Sequence, residues 1–210
     1  MPRVTQPYRD ARRRQIVSAA RRCFTRSGFH ATSMQDIFAE SGLSAGAVYG
    51  YFASKEALVE AIVTDVLAEI TTGFDAVLAD DAPPRPGDVL QHVFEVLEQQ
   101  EGGRDFACLA VQVWAEALRN PALRALLADA YEQVRVKFLR LVERGRQAGS
   151  LDPAVPAEDV ARALTALGPA FLFQRALLDS ADARVFHSGL SAVLSARSPA
   201  PVGGDQPAAS

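Results

Sequence analysis

Residues 28–58 read GFHATSMQDIFAESGLSAGAVYGYFASKEAL, and this stretch decides the fold. Three aromatics, Tyr49, Tyr51 and Phe52, crowd into four positions just after Ala45, Gly46 and Ala47, which have almost no side chain to bury. Upstream, Thr32 is a good N-cap and Gln35 three residues later completes a capping box. Met34, Ile37, Phe38 and Ser41 fall at helical spacing, and Gly42 is placed as the stop. Ser44 then caps a third helix and Ser54 a fourth. Two short helices joined by Ser41, Gly42 and Leu43, with another helix in front to close a small core, make the helix-turn-helix plan. In that plan the second helix of the pair enters the major groove of DNA.

Outward from this stretch every periodic signal is helical and strand alternation is absent, so the expected fold is all-α with about nine helices. A first helix is expected over residues 8–27, carrying Ile16, Ala20, Cys23 and Phe24 on one face and ending at Gly28. The fourth helix runs on to about residue 78. Prolines then break the chain at 80–86, and helices resume at about 87–101, 105–119, 122–148, 157–178 and 182–196. Asn120 and Pro121 form an N-cap followed by proline at the first helical position, where its missing N–H costs nothing. Gly168 and Pro169 sit inside a helical run and predict either a kink or a split into two helices. The domain division that follows is 1–53 for a DNA-binding head and 54–197 for a body, with 54–79 as connecting helix. The tail 198–210 has too few bulky apolar groups to fold.

Composition bounds the function. Of the 210 residues, 49% are apolar and 22% charged, the balance of a globular chain. No apolar run approaches the roughly 18 residues of a spanning helix and the N-terminus lacks an apolar leader, so a cytoplasmic protein without a membrane partner is expected. The net charge of −3 is unevenly spread: residues 1–55 hold nine Lys/Arg against three Asp/Glu, the rest thirteen against twenty-two. A basic first quarter on an acidic body suggests a polyanionic partner for that quarter alone. Arg12, Arg13 and Arg14 read either as steering charge or as a solvated helix face. Cys23 and Cys108 lie among apolar neighbours, as buried free thiols do. His30, His92 and His187 are scattered, with no metal-ligand spacing and no glycine-rich phosphate loop after a strand. Neither a cofactor nor an enzymatic activity is expected.

The stretch at 28–58 resembles the N-terminal signature of the TetR family of bacterial transcriptional regulators, and the resemblance extends over about residues 10–60. It implies a double-stranded DNA operator as partner, with contacts from Thr32, Ser33, Ser44, Ala45, Gly46, Tyr49, Tyr51 and Lys55. The small residues let the backbone lie close to base edges, the two phenols and Lys55 match the family's phosphate contacts, and Phe52 plugs the core. Thr32 and Ser33 serve equally well as caps. Gly50 stands where many relatives carry a larger side chain, and Phe38 where alanine is usual. The recognition helix therefore lacks any Arg, Lys, Asn or Gln, and base readout is expected from methyl contacts, Tyr49 and DNA shape.

Beyond residue 60 the resemblance implies a body holding a small-molecule effector pocket and a dimer interface. Pocket candidates are His92, Phe106, Trp114, Tyr131, Phe138, Phe171 and Gln174, with Gln112 as a further polar group, although aromatics at helical spacing are also ordinary core. The last two helices carry Leu164, Leu167, Leu172, Leu178, Val185, Leu190 and Val193, a surface suited to a homodimer. The whole reads as a ligand-responsive, dimeric repressor released from a palindromic operator by a small apolar or amphipathic effector. An all-helical carrier or enzyme, and a regulator that activates or takes no ligand, are the alternatives.

Overall fold

A computed structural model describes residues 5–79, 86–100, 103–149, 154–178 and 182–195. Nine α-helices and no strand occur among the described residues: α1 (Gln6–Ala31), α2 (Met34–Ser41), α3 (Ala45–Tyr49), α4 (Lys55–Ala79), α5 (Pro86–Gln99), α6 (Arg104–Ala117), α7 (Pro121–Gln147), α8 (Ala157–Leu177) and α9 (Ala183–Ser195). The expected all-α class holds. Most of the proline break at 80–86, parts of the separators and the tail 198–210 lie outside the described residues. None of the described helices is long and apolar enough to cross a membrane.

Two glycines shape the head. Gly28 has φ 80°, so it breaks the regular backbone of α1, and one further turn carries the helix on to Ala31. A Cβ there would lie 3.1 Å from Oε1 of Gln112 on α6, a contact that the end of that flexible side chain can relieve, so the positive φ rather than packing is what asks for glycine. Gly42, at φ 68°, ends α2: its N–H donates to the Ala39 and Phe38 carbonyls, and Leu43 N–H donates to Phe38 O at 3.3 Å. Ile16, Ala20, Phe24, Ile37 and Val48 then close the small core, with Phe52 buried beneath them as expected.

The head packs on the body through α1 against α6 and α4. In the body, α4, α5, α6, α7 and α8 form the bundle and α9 lies on α5. Asn120 caps α7 as expected, accepting from Ala122 N at 3.1 Å and Leu123 N at 3.3 Å. The Phe94, Phe171 and Phe186 rings, with centroids 4.9 to 5.5 Å apart, pin α9 to α5 and α8. Gly168 and Pro169 do not split α8, which runs unbroken with Pro169 inside it. A proline there removes the N–H that would reach the Thr165 carbonyl, and the neighbouring helices hold the segment helical nonetheless.

Candidate functional site

The head presents a short exposed stretch of small residues. Ser44 Oγ accepts from Ala47 N at 3.3 Å and opens α3, whose exposed residues Ala45, Gly46 and Ala47 precede Val48, the single fully buried position of the helix. Gly46 has no atom within 4 Å of where a Cβ would stand, and neither it nor Gly50 has a positive φ. Nothing within the chain requires a glycine at position 46. Tyr49 is 52% exposed and packs edge-on against Phe38 of α2, with centroids 5.2 Å apart; Tyr51 is 37% exposed. Phe38, where alanine is usual, thus props the Tyr49 ring.

Two assignments at the start of α2 change. The capping box uses Ser33 and Asp36, not Thr32 and Gln35: Ser33 N–H donates to Asp36 Oδ2 at 2.7 Å, and Asp36 N–H donates to Ser33 Oγ at 3.2 Å. The Ser33 hydroxyl also donates to Asp36 Oδ2 at 2.7 Å, and the two hydrogen bonds onto the carboxyl, first from the Ser33 side chain and then from its backbone, hold Asp36 below the usual carboxylate range. Thr32 is 2% exposed, and its hydroxyl donates to Gly28 O at 2.7 Å and Cys23 O at 3.1 Å. Its N–H also donates to Gly28 O. With both donors spent on the end of α1, Thr32 is a structural lock rather than a phosphate contact. Ser33 remains exposed.

Lys55 Nζ donates to the Phe29 carbonyl at 2.7 Å and sits 4.6 Å from the Phe29 ring centroid. It ties the start of α4 to the last turn of α1. An ammonium has three N–H donors, so this tie does not exhaust it. Of the arginines on α1, Arg13 pairs with Asp65 of α4 at 3.0 Å, while Arg22 and Arg26 share Glu40 of α2 at 2.8 and 3.1 Å. Arg22 first, then Arg26, keeps the Glu40 carboxyl below its ordinary range. Arg12 bonds the Tyr8 hydroxyl and Gln15, and Arg14 is exposed. Part of the basic face is thus occupied in fastening the head together.

Two further contacts join head to body. His30, just past the Gly28 break, meets the buried carboxyl of Glu116 on α6. Arg21 of α1 donates to Gln100 at 3.0 Å, and Gln100 donates to Glu69 of α4 at 2.7 Å.

The body holds a partly open cavity of about 160 Å³ between α4, α5, α6, α7 and α8. Phe106, Trp114, Tyr131 and Phe138 line it, as the sequence suggested. Four other candidates do not. His92 Nε2 donates to Glu69 O, 3.1 Å away, and packs over Gly73; Gln174 is exposed; Phe171 belongs to the aromatic cluster with Phe94 and Phe186; and Gln112 faces Gly28. The walls missed in the sequence include Ile62, Val66 and Ile70 of α4, and Thr165 and Gly168 of α8. The i, i+4 spacing of Ile62, Val66 and Ile70 marks one helical face but does not say whether that face meets a void or a side chain. Burial pushes the Tyr131 phenol up to about 12, opposed by a hydrogen bond from Trp114.

The expected dimer residues divide. Leu164 and Leu172 are buried in the cavity wall, so they are not surface, and Leu167 and Leu190 pack partly on the core. Leu178, Val185 (67% exposed) and Val193 (71% exposed) do lie on the surface, joined by Phe173 and Leu177.

Comparison with known proteins matches both parts of this architecture. The family model described as bacterial regulatory proteins, tetR family, matches residues 16–62, and that of the BetI-type transcriptional repressor C-terminal region matches 86–169. The HTH-type transcriptional regulator YfiR of Bacillus subtilis is 34% identical over 167 residues, 77% of this chain and 78% of that protein. UidR of Escherichia coli K12, also an HTH-type transcriptional regulator, is 27% identical over 186 residues, 87% of this chain and 90% of the other. The solved structure of Salmonella enterica GusR superposes with TM-score 0.73 at 28% identity, covering 92% of this chain and 97% of that one. The relatives named here as regulators are transcription factors rather than enzymes.

Proposed function

The chain belongs to the TetR family of bacterial regulatory proteins, and from that premise we propose that it is a cytoplasmic homodimeric repressor, released from a palindromic operator by a small molecule held in the body. DNA binding and responsiveness to ligands are properties of the family. The finer assignments rest on the geometry of this chain. Residues 1–53 form the head and 54–197 the body in this reading.

One observation carries it: α4 begins at Lys55, against the end of α1, and further along supplies Ile62, Val66 and Ile70 to the cavity wall. A rigid helix that touches both sites moves the head whenever the cavity favours a different spacing of its walls. Ser33, Ser44, Tyr49, Tyr51 and Lys55 meet phosphates, while Ala45 and Gly46 bring backbone and methyl groups to base edges. The exposed apolar side chains of α8 and α9, Phe173, Leu177, Leu178, Val185 and Val193, pair with their copies across a two-fold axis. Two heads so related meet half-sites roughly 34 to 36 Å apart.

Selection of bound sequences from random DNA tests this reading, combined with light scattering of the complex. The expected product is an inverted repeat carrying a multiple of two chains. An asymmetric site bound by one chain contradicts it.

A further inference from the structure

Few polar side chains line the cavity, and counting their hydrogen-bond capacity narrows what it holds. The ones that carry a polar atom are Trp114, Tyr131 and Thr165; among the described residues no Asp, Glu, Lys, Arg or His is in the wall. Indole nitrogen is a donor only, so Trp114 gives its hydrogen to the Tyr131 oxygen. The Thr165 hydroxyl donates to Ala161 O at 2.8 Å, so its one proton is used within α8 and is not offered to a ligand. The Tyr131 proton is left, and among the described residues no acceptor takes it. A phenol whose own proton has no partner in the protein, set in an apolar wall, is a polar group awaiting one.

Size and location agree. A cavity near 150 Å³ with such walls stays dry and takes a molecule of about benzene size; here the volume is about 160 Å³. Tyr131, Thr165 and Pro169 also line an outer groove with Glu132, Arg135 and Arg162, so these three residues lie between the cavity and that groove. Outside it, Arg135 is paired with Glu132 and Glu158, which leaves that mouth without a dominant sign of charge.

We infer that the effector is an uncharged, compact, largely apolar molecule carrying one hydrogen-bond acceptor, a carbonyl or ether oxygen, which receives the Tyr131 hydroxyl at the α7–α8 wall. This rests on the reading of the cavity as an effector site. A carboxylate or ammonium would enter without a counter-charge and lose its hydration, a cost that the apolar wall does not offset. A hydrocarbon of the same shape fits but leaves the phenol unpaired.

Calorimetric titration of the full chain with cyclohexyl methyl ketone, cyclohexanecarboxylate, choline and ethylcyclohexane tests this. Emission from Trp114, the single tryptophan of the chain, reports whether binding is in the cavity. The ketone is expected to bind and shift that emission, with the anion and cation at least a hundredfold weaker. Tyr131→Phe is expected to weaken the ketone about tenfold and leave ethylcyclohexane unchanged, the size of one hydrogen bond. Equal affinity for the ketone and either ion, no binding of the ketone, or an unchanged ketone affinity in the variant overturns the inference. The wild-type discrimination stands without the variant if the latter does not fold. Operator release is measured separately: ketone binding without release refutes the ligand-responsive reading and leaves the chemistry of the cavity standing.

Discussion

At the scale of single residues, Gly46 separates folding from function most cleanly. Its backbone is ordinary helix and a side chain there meets open space, so glycine is the less stable choice by up to about 1 kcal/mol in a helix. Gly46→Leu is therefore expected to keep or raise the thermal midpoint while lowering DNA affinity at least tenfold, read by melting and by fluorescence anisotropy. Asp36 gives a pH signature of the opposite kind. Its folded carboxyl titrates below its unfolded value because of the Ser33 hydrogen bonds, so its contribution is present above the ordinary carboxylate range near pH 4 and is lost as pH falls through the lower folded value. Asp36→Asn should accordingly flatten the acid limb of stability against pH and leave the neutral plateau slightly lower. The sequence showed a cap at this place but named Thr32, because threonine and serine are both good caps. Which one faces α2 depends on where α1 ends, and the Gly28 kink moves that end three residues on.

At the scale of elements, α8 shows why periodicity alone falls short. The apolar positions 164, 167, 171 and 172 of α8, with 178 at its C-cap, are equally suited to a core, a cavity or a partner, and three surfaces in fact divide them. Helix existence was legible throughout and most bounds with it, since caps and breakers act locally; the end of α1 and the cap of α2 were the exceptions. Which apolar face meets which neighbour is a tertiary fact, and this is why Phe171, Leu164 and Leu172 changed roles. Pro169 gives a test within the element. Pro169→Ala restores an N–H to the Thr165 carbonyl, and the helix is expected to gain about 1 to 3 kcal/mol, measured by urea unfolding. An unchanged midpoint would mean that the surrounding helices already absorb the whole cost.

At the scale of the molecule, the exposed apolar side chains of α8 and α9 are out of place on a monomer. Leu177→Asp together with Val185→Asp removes no core contact, so the helical content should persist while light scattering shows a monomer. A dimer of unchanged strength would move the interface elsewhere. The basic head on the acidic body was legible in charge counts alone, whereas the pairing of Arg13, Arg22 and Arg26 was not, because ion pairs between helices depend on how α1 lies over α2 and α4. The central claim is that the head grips phosphates. Its most direct test is the affinity of the intact chain for duplex DNA as a function of salt. A steep linear fall of log affinity with log salt is predicted, with a slope of roughly −0.9 for each phosphate neutralised; absent binding, or a slope near zero, contradicts it.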